Sequence, residues 1–388
     1  MLLIRAEKGV GLIRLDLCLI ALGVFTLTFS LFNIVIFAFS SVLVFVAYGL
    51  MCRDIGGLCI NKKGTITFFG LLSFSFVVSI LGDFYVNNFI KTSMNALVMV
   101  VLAGYFSGRN SKAEFLFVIR FVILAHSMFF LVQFFVFMLT GEYVDFNSYV
   151  RGEEAVGLYE SKALEGLAVQ IRAGGLFSEP SFYSMSILPF TLVLMVLERN
   201  VGKIAAVGLG TSLLSLSIAS MIVVAISCAV YAVAVGLSKR EKILLIAGIV
   251  FSFPFMYTVY DLRVNQSIDY DAVGSRNLIF LELRLRDLRD SLFGSGFFWN
   301  ENYPQGKLNL DGAHIRDSSF YAYMLYGAGY IGSAFFIFLV TKLFGYKSVF
   351  FYLFLCMLLF KHHFVSAMLW LVILIMYIAE SYRCKENN

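Results

Sequence analysis

Apolar residues in this chain come in long continuous runs, and short polar or charged stretches separate one run from the next. The runs are about 15 to 25 residues long, the length that an α-helix needs to cross the hydrocarbon core of a bilayer. They do not alternate apolar and polar residues as the strands of a membrane β-barrel do. The pattern therefore predicts an all-α polytopic membrane protein. About 12 transmembrane helices are predicted, at residues 15–30, 32–52, 65–82, 92–107, 114–140, 180–198, 203–217, 219–237, 243–260, 318–340, 348–361 and 364–379.

The apolar stretch 203–237 needs separate treatment because it is 35 residues long. A single helix of that length exceeds what about 30 Å of hydrocarbon requires. A single span would also move the basic cluster that follows, Lys239 to Lys242, to the opposite side of the membrane from the other basic clusters. Two short helices that meet near the sequence "SLSIAS" are therefore predicted.

Positive charge follows the predicted spans in a regular way, because lysine and arginine concentrate in every second connection. The clusters are Arg5, Lys8 and Arg14; Arg53, Lys62 and Lys63; Arg109 and Lys112; Arg199 and Lys203; Lys239, Arg240 and Lys242; Lys342 and Lys347; and Arg383 and Lys385. Cytoplasmic loops carry such an excess, so both termini are predicted to be cytoplasmic. The net charge of +5 thus reflects membrane topology, and no nucleic-acid partner is expected.

This topology gives one integral membrane domain over residues 1–388, with two large external loops at 141–178 and 261–317. The first loop has three basic and six acidic residues, and the second has seven basic and nine acidic residues. Both loops are net acidic and yet rich in arginine. This mixture is typical of individually placed arginines that recognise a discrete anion, and it argues against a surface that binds polyanions.

Within the second loop, leucines recur at spacings of three and four residues, which predicts an amphipathic helix lying in the membrane interface. The leucines are Leu278, Leu281, Leu285, Leu288 and Leu292. Ser275 is the expected N-cap. Of the arginines on this helix, Arg284, Arg286 and Arg289, at least two are expected to be solvated or to meet lipid headgroups. Arg276 precedes these leucines, so it is less constrained by the membrane interface and is available to bind another group.

The sequence "RAGGLFSEPSFYS" carries charged and turn-forming residues directly ahead of a span. Gly174 and Gly175 favour a tight turn, Ser178 can cap the helix, and Pro180 suits its first turn. A well-formed helix start does not require Arg172. Glu179 has two interpretations, as a functional residue or as a normal part of the helix start, since acidic residues are favoured at helix N-termini in any case.

A second group of titratable residues, His314, Arg316 and Asp317, lies at the entry to a later span, and a role in proton transfer is considered for it. Motifs of soluble catalysis are absent. The sequence has four histidines, two of them adjacent at a membrane end, so a zinc site is not expected.

Three stretches in the same order resemble the Wzy-type O-antigen and capsule polymerases, bacterial inner-membrane glycosyltransferases of the GT-C class. "RAGGLFSEPSFYS" is similar to that family's R-x-x-G-[LIV]-F-x-[EN]-P-[NS] element before a span. "LLSLSIASMI" is similar to its serine-rich break between two short helices. "SRN", "LFGSGF" and "DSSFYAYMLYGAGYIG" resemble its last large external loop and the helix that follows.

The resemblance implies polymerisation of undecaprenyl-diphosphate-linked oligosaccharide repeat units into O-antigen, capsular polysaccharide or exopolysaccharide on the periplasmic face. Arg172 and Arg276, supported by Arg284 or Arg289, would bind the diphosphate, because guanidinium forks stabilise phosphate oxygens. Alanine at Arg172 or Arg276 is expected to abolish polymerisation, whereas Arg286→Ala is expected to be mild.

The resemblance also requires a general base to take the proton of the acceptor hydroxyl, and Glu179, His314 and Asp317 remain equal candidates. No metal or soluble cofactor is expected. The implied partners are the lipid-linked glycan, membrane lipids, and a chain-length regulator and flippase of the same pathway.

Three alternatives stay open. An O-antigen ligase would carry H-[NSQ], nine residues, then G-x-x-G, but Ser318 and Ser319 stand at the first two positions, and His314 lies four residues too early. A flippase or other transporter would place charged residues along a central cavity. A noncatalytic scaffold would explain the spans and leave Arg172 and Arg276 unexplained.

Overall fold

The structure, a computed structural model, describes residues 14–30, 33–80, 82, 84–151, 171–235, 243, 247, 250, 253–254, 256–261, 272–301 and 303–387. Its helices are α1 (Leu15–Thr28), α2 (Ile34–Ile55), α3 (Lys62–Ser79), α4 (Val86–Arg109), α5 (Lys112–Thr140), α6 (Phe146–Arg151), α7 (Pro180–Glu198), α8 (Lys203–Leu214), α9 (Ile218–Ala234), α10 (Ala272–Leu285), α11 (Leu288–Phe293), α12 (Gly312–Arg316), α13 (Phe320–Phe344), α14 (Val349–Met357) and α15 (Ala367–Asn387).

Six of the described helices, α2, α4, α5, α7, α13 and α15, are long and apolar enough to cross a membrane. The chain is therefore an all-α, multi-pass membrane protein, as predicted. Shorter apolar helices occupy three further predicted spans, at α1, α8 and α9. The predicted span 243–260 lies partly outside the described residues, so the count of 12 stays a prediction.

The long apolar stretch after Lys203 is divided into α8 and α9, which confirms the predicted break. Leu216 lies between the two helices with a positive φ of 52°. Ser217 caps α9 by accepting a hydrogen bond from the Ser220 amide. Ser184 of α7 lies 3.0 Å from Ser215, oxygen to oxygen, so the break packs against the first turns of α7.

An ion-pair network lies at the end of the helix bundle that carries Arg109. The Arg109 guanidinium lies 2.6 Å from the Asp16 carboxylate and 3.0 Å from that of Asp54. Tyr105 donates a further hydrogen bond of 2.9 Å to Asp16. Lys112 pairs with Glu386 at 2.5 Å and so joins the start of α5 to the end of α15. We call this face the Arg109 end, and the opposite face the Glu179 end.

At the Glu179 end, the loop 294–296 packs into a kink in α13. Gly329 has a non-helical φ of 62° inside that helix, and Gly294 has a φ of 77°. The Gly296 amide donates to the Gly327 carbonyl at 2.8 Å. A Cβ at Gly294 would lie 2.2 Å from the Gly327 oxygen, so only glycine permits this approach.

Two predicted elements differ from the structure. The predicted span 348–361 is helical only over α14, whose nine residues reach about 13 Å. The leucine helix begins at Ala272, so Ser275 lies inside it and is not its N-cap. That helix also ends at Leu285, and α11 begins at Leu288 after a break.

Candidate active site

The segment that precedes α7 is held by a glutamine from the membrane helix α5. Gln133 is fully buried, and its side-chain oxygen accepts hydrogen bonds from the Gly174 and Gly175 amides at 2.8 and 2.9 Å. Gly175 has a φ of 58°, and a Cβ at Gly174 would lie 2.6 Å from the Phe177 carbonyl oxygen. The predicted glycine turn is confirmed, and its backbone is fixed against α5.

Glu179 is the N-cap of α7 and Pro180 is its first residue, so the prediction that Ser178 caps the helix is wrong. The Glu179 side chain accepts a hydrogen bond of 2.9 Å from the Ser181 hydroxyl. Burial by itself would raise the pKa of Glu179, but Lys361, Ser181 and Arg172 together outweigh burial and hold that pKa below its usual value. Glu179 is therefore a carboxylate at neutral pH.

Lys361 joins two of the predicted catalytic residues. Its Nζ lies 3.2 Å from Glu179 Oε2 and 3.6 Å from Asp317 Oδ1. The lysine side chain is largely buried, whereas that of Asp317 is half exposed. One ammonium group thus brings together carboxylates from the segment before α7 and from the entry of α13, which are far apart in the sequence.

Arg172 is buried, with 7% of its surface exposed. Its Nε donates to the Leu216 carbonyl at 3.3 Å, and this carbonyl lies in the break between α8 and α9. Helix ends leave carbonyl groups without an intrahelical partner, so a guanidinium stabilises the break directly. Arg172 also contributes positive charge to the environment of Glu179. The predicted arginine, the predicted glutamate and the predicted helix break therefore lie together.

Arg316, which the sequence placed only in the neighbourhood of the site, is one of its most buried charges. Its side chain is 5% exposed, pairs with Glu301 and lies 5.5 Å from the centre of the Trp299 ring. Within the described residues, Arg316 Nε and Nη2 and the Trp299 indole nitrogen have no hydrogen-bond acceptor. Buried donors of this kind need a partner, so an anionic or hydroxyl-rich ligand would suit them.

The connection between α14 and α15 also carries two buried histidines. His362 and His363 are at most 3% exposed. Burial lowers the pKa of His362 to about 3. Burial, together with the positive charge of Arg316 and the neighbouring His362, also holds the pKa of His363 well below its usual value. Both side chains are therefore neutral at physiological pH.

These low pKa values predict that the protein loses stability in mild acid. An unfolded histidine has a pKa of about 6.5, so below that pH the unfolded chain binds protons that the folded chain does not. The free energy of unfolding should fall by up to about 1.4 kcal/mol per pH unit for each histidine as the pH drops from about 6.5. Thermal unfolding in detergent between pH 7.5 and 5 measures this slope, and that range lies above the titration of Glu179.

His362→Gln provides the control for this prediction, because it removes one of these two buried histidines. The variant should unfold with a visibly shallower dependence on pH than the parent protein. If the two proteins showed the same slope, His362 would not be a source of the acid sensitivity.

The remaining predicted anion ligands are not gathered around Glu179. Arg284 and Arg289 are exposed on α10 and α11, and no described hydrogen bond or ion pair joins them to the other site residues. Arg276 lies in α10 and His314 in α12, but their side chains fall outside the described part of the structure. The predicted roles of these four residues stay predictions.

Arg284 and Arg289 are exposed, in line with the expectation for at least two of the three arginines, whereas Arg286 is bound to the rest of the protein. Its Nη1 donates to the Tyr326 carbonyl at 2.7 Å, and its Nη2 contacts the Ser295 hydroxyl. The guanidinium carbon also lies 3.9 Å from the centre of the Tyr326 ring. Arg286 thus connects the break between α10 and α11 to the kinked helix α13 by hydrogen bonds.

Arg286→Ala is therefore expected to destabilise the protein, whereas its mild effect on polymerisation stays a prediction. Loss of the charge-assisted hydrogen bonds to the Tyr326 carbonyl and the Ser295 hydroxyl should cost about 1–3 kcal/mol, although the Tyr326 carbonyl still accepts a hydrogen bond from the Ser295 amide. The exposed neighbour Arg289 supplies the matched control, since Arg289→Ala should change stability by less than about 0.5 kcal/mol. Thermal unfolding in detergent compares the two variants, and equal unfolding temperatures would contradict the proposed fastening.

Lys361 and the two histidines were missed as site residues, although the sequence carried a signal for them. "KHH" at 361–363 places three titratable groups at the junction of two predicted spans, 348–361 and 364–379, and ionisable residues among apolar membrane segments mark functional sites. Among the described residues, no group of three or more histidine, cysteine, aspartate or glutamate side chains is arranged to hold a metal ion.

Comparison with known proteins adds no relative to this description. No protein family, no curated protein and no solved structure matches the chain.

Proposed function

We propose that this protein is a polysaccharide polymerase that uses undecaprenyl-diphosphate-linked oligosaccharide repeat units as substrates. It transfers the growing glycan from its lipid diphosphate to the non-reducing end of an incoming unit, and the products are O-antigen, capsular polysaccharide or exopolysaccharide. The proposal rests on the resemblance of the "RAGGLFSEPSFYS" segment to Wzy-type polymerases and on the structural surroundings of that segment.

The observation that carries the proposal is the contact of Lys361 with both Glu179 and Asp317. This cluster contains carboxylates, and two buried arginines, Arg172 and Arg316, lie in the neighbouring segments. Glycosyl transfer from a lipid diphosphate needs a base for the acceptor hydroxyl and cations for the leaving group. Both kinds of group are present at the Glu179 end.

In this proposal, Asp317 is the general base. Its carboxylate is half exposed and lies 3.6 Å from Lys361, so an acceptor hydroxyl can reach it. Glu179 is held more closely by Lys361 and Ser181, and it serves to position the lysine. The His314 side chain lies outside the described part of the structure and remains a further candidate.

Arg172 and Arg316 are proposed to stabilise the diphosphate as the glycosidic C–O bond breaks. Arg316 offers two guanidinium nitrogens that have no acceptor among the described residues. A guanidinium with free donors stabilises phosphate oxygens by charge-assisted hydrogen bonds. Arg276, Arg284 and Arg289 stay in the proposal as ligands contributed by the second large loop.

The proposed location is the bacterial inner membrane, with both termini in the cytoplasm and the Glu179 end in the periplasm. The basic residues at the Arg109 end support this orientation, since positive residues favour the cytoplasmic side. Membrane lipids, a chain-length regulator and a flippase of the same pathway are the proposed partners.

A surface-glycan gel on a strain that lacks the gene, before and after its restoration, tests the function. Loss of the long ladder, with a single repeat still attached to the lipid core, is the expected result for a polymerase. Loss of the single repeat as well would overturn the proposal in favour of ligation or export, and lipid-linked polymer would then be sought on each side of the membrane.

A further inference from the structure

An apolar groove lies between α2 and α4, close to the Glu179 end of the bundle. Its volume is about 470 Å³, and it is bounded by α2 and α4, with the lining residues Ile34, Phe37, Val42, Phe45, Ile90, Lys91, Met94 and Asn95. The backbone connection before α15, at Val365 to Ala367, forms its base. The groove is therefore a surface of the membrane domain, distinct from the ion pairs of Lys361.

The groove opens toward the surroundings of the bundle. Of the six long apolar helices, α2 is the least buried inside the protein. Ile34 is 68% exposed and Val42 is 59% exposed, although both are apolar. In a bilayer, such side chains face lipid chains. The occupant must accordingly be apolar along most of its length.

The length of the groove matches one leaflet. From Ile34 to Phe45 the helix advances 11 residues, which corresponds to about 16 Å. Half of a hydrocarbon core of about 30 Å has nearly the same thickness. A single fatty acyl chain that begins at the Glu179 end would thus fill the groove and end near the middle of the bilayer.

One cation, Lys91, lies in the wall of this otherwise apolar groove. Its side chain is exposed, and among the described residues it has no hydrogen bond and no ion pair. Lys91 is five residues into α4, about 8 Å from the start of the helix, a depth at which a lysine reaches the headgroup region by extending its stem. An ammonium group at that level attracts a lipid phosphate.

We propose that this groove is a binding site for an anionic glycerophospholipid of the leaflet at the Glu179 end. One acyl chain lies along α2 between Ile34 and Phe45, and the phosphate pairs with Lys91. The proposal does not depend on the enzymatic function of the protein, because it concerns an ordinary lipid of the bilayer.

Helix α4 lines the groove and also contacts the candidate active site. Three polar residues on one face of this helix, Asn88, Thr92 and Asn95, contact the backbone of the site loops. Asn88 donates to the Trp299 carbonyl at 2.9 Å, and Asn95 donates to the Val365 carbonyl at 3.0 Å. A lipid seated beside Lys91 therefore stabilises the helix that holds both loops.

Native mass spectrometry of the full-length protein in detergent tests the site with two lipids. Dioleoyl-phosphatidylglycerol and dioleoyl-phosphatidylcholine have the same chains, and only the first carries a net negative charge. The expected result is one retained phosphatidylglycerol, at least about fivefold more abundant than retained phosphatidylcholine at equal concentration. Equal retention of the two lipids would overturn the proposal.

Three variants separate the contributions of charge and shape. Lys91→Gln should lower phosphatidylglycerol retention to the phosphatidylcholine level, and Ala38→Phe should lower the retention of both lipids by narrowing the groove, since Ala38 lines it. Lys347→Gln, at the Arg109 end, should match the parent protein. Unchanged retention in Lys91→Gln contradicts the site. Displacement of phosphatidylglycerol by an equimolar polyprenyl phosphate would also overturn the proposal, because the groove would then belong to a polyprenyl lipid.

Discussion

Lys361→Met is expected to reduce polymer formation at least about 100-fold, the loss typical of removing a proton-transfer group or its partner. Methionine keeps most of the volume and removes the charge that joins Glu179 to Asp317. Without the ammonium group, the pKa of Glu179 should rise, because burial raises it and Lys361 is the largest opposing influence. The measurement is the glycan ladder of the deletion strain restored with each variant, at equal amounts of protein in the membrane.

Matched variants distinguish the effect of losing the charge from the effect of losing the folded structure. Lys347→Met at the Arg109 end removes an exposed lysine and should leave the ladder intact. Lys361→Arg keeps the positive charge and should retain part of the activity. Combining Lys361→Met with Glu179→Gln should recover thermal stability without recovering polymer, because no partly buried carboxylate is left unpaired at Glu179. A full ladder from Lys361→Met would remove this residue from the proposed site.

Arg172→Lys is expected to lower polymer formation by at least about tenfold, although the charge is kept. The guanidinium donates through Nε to the Leu216 carbonyl, and its positive charge lowers the pKa of Glu179. An ammonium group has no fork with which to serve the carbonyl and a diphosphate at once. The same ladder measurement tests this prediction. Thermal unfolding in detergent should show a loss of stability that is small compared with the loss of polymer, because the hydrogen bond to the Leu216 carbonyl in the helix break is weakened.

Arg53→Lys is the control for this substitution, because Arg53 is exposed in the last turn of α2, at the Arg109 end, and should tolerate the change. If Arg172 had only a structural role, the Arg172→Lys variant would be less stable, but membranes that retain the protein would still give a normal ladder. That outcome, or equal ladders from the two variants, would contradict the assignment of Arg172 to the diphosphate.

The candidate site was predicted in part, and the differences have identifiable causes. The segment from Arg172 to Pro180 was recognised because turn and helix-start chemistry is local. Lys361 and Arg316 were not assigned to the site, because their importance depends on partners from distant segments. The leucine helix was expected to continue through Arg286, but its spacing carries no information about the Tyr326 carbonyl that the guanidinium binds.

The sequence by itself determined the class of protein, the positions of most membrane helices and the break between α8 and α9. These features follow from the length of apolar runs and from local backbone preferences, which act over a few residues. Only the tertiary structure decided which charges meet: Lys361 with Glu179 and Asp317, and Arg172 with the Leu216 carbonyl. Such pairs form where packed helices bring distant loops to one end of the bundle, and side-chain packing of the whole domain sets that arrangement.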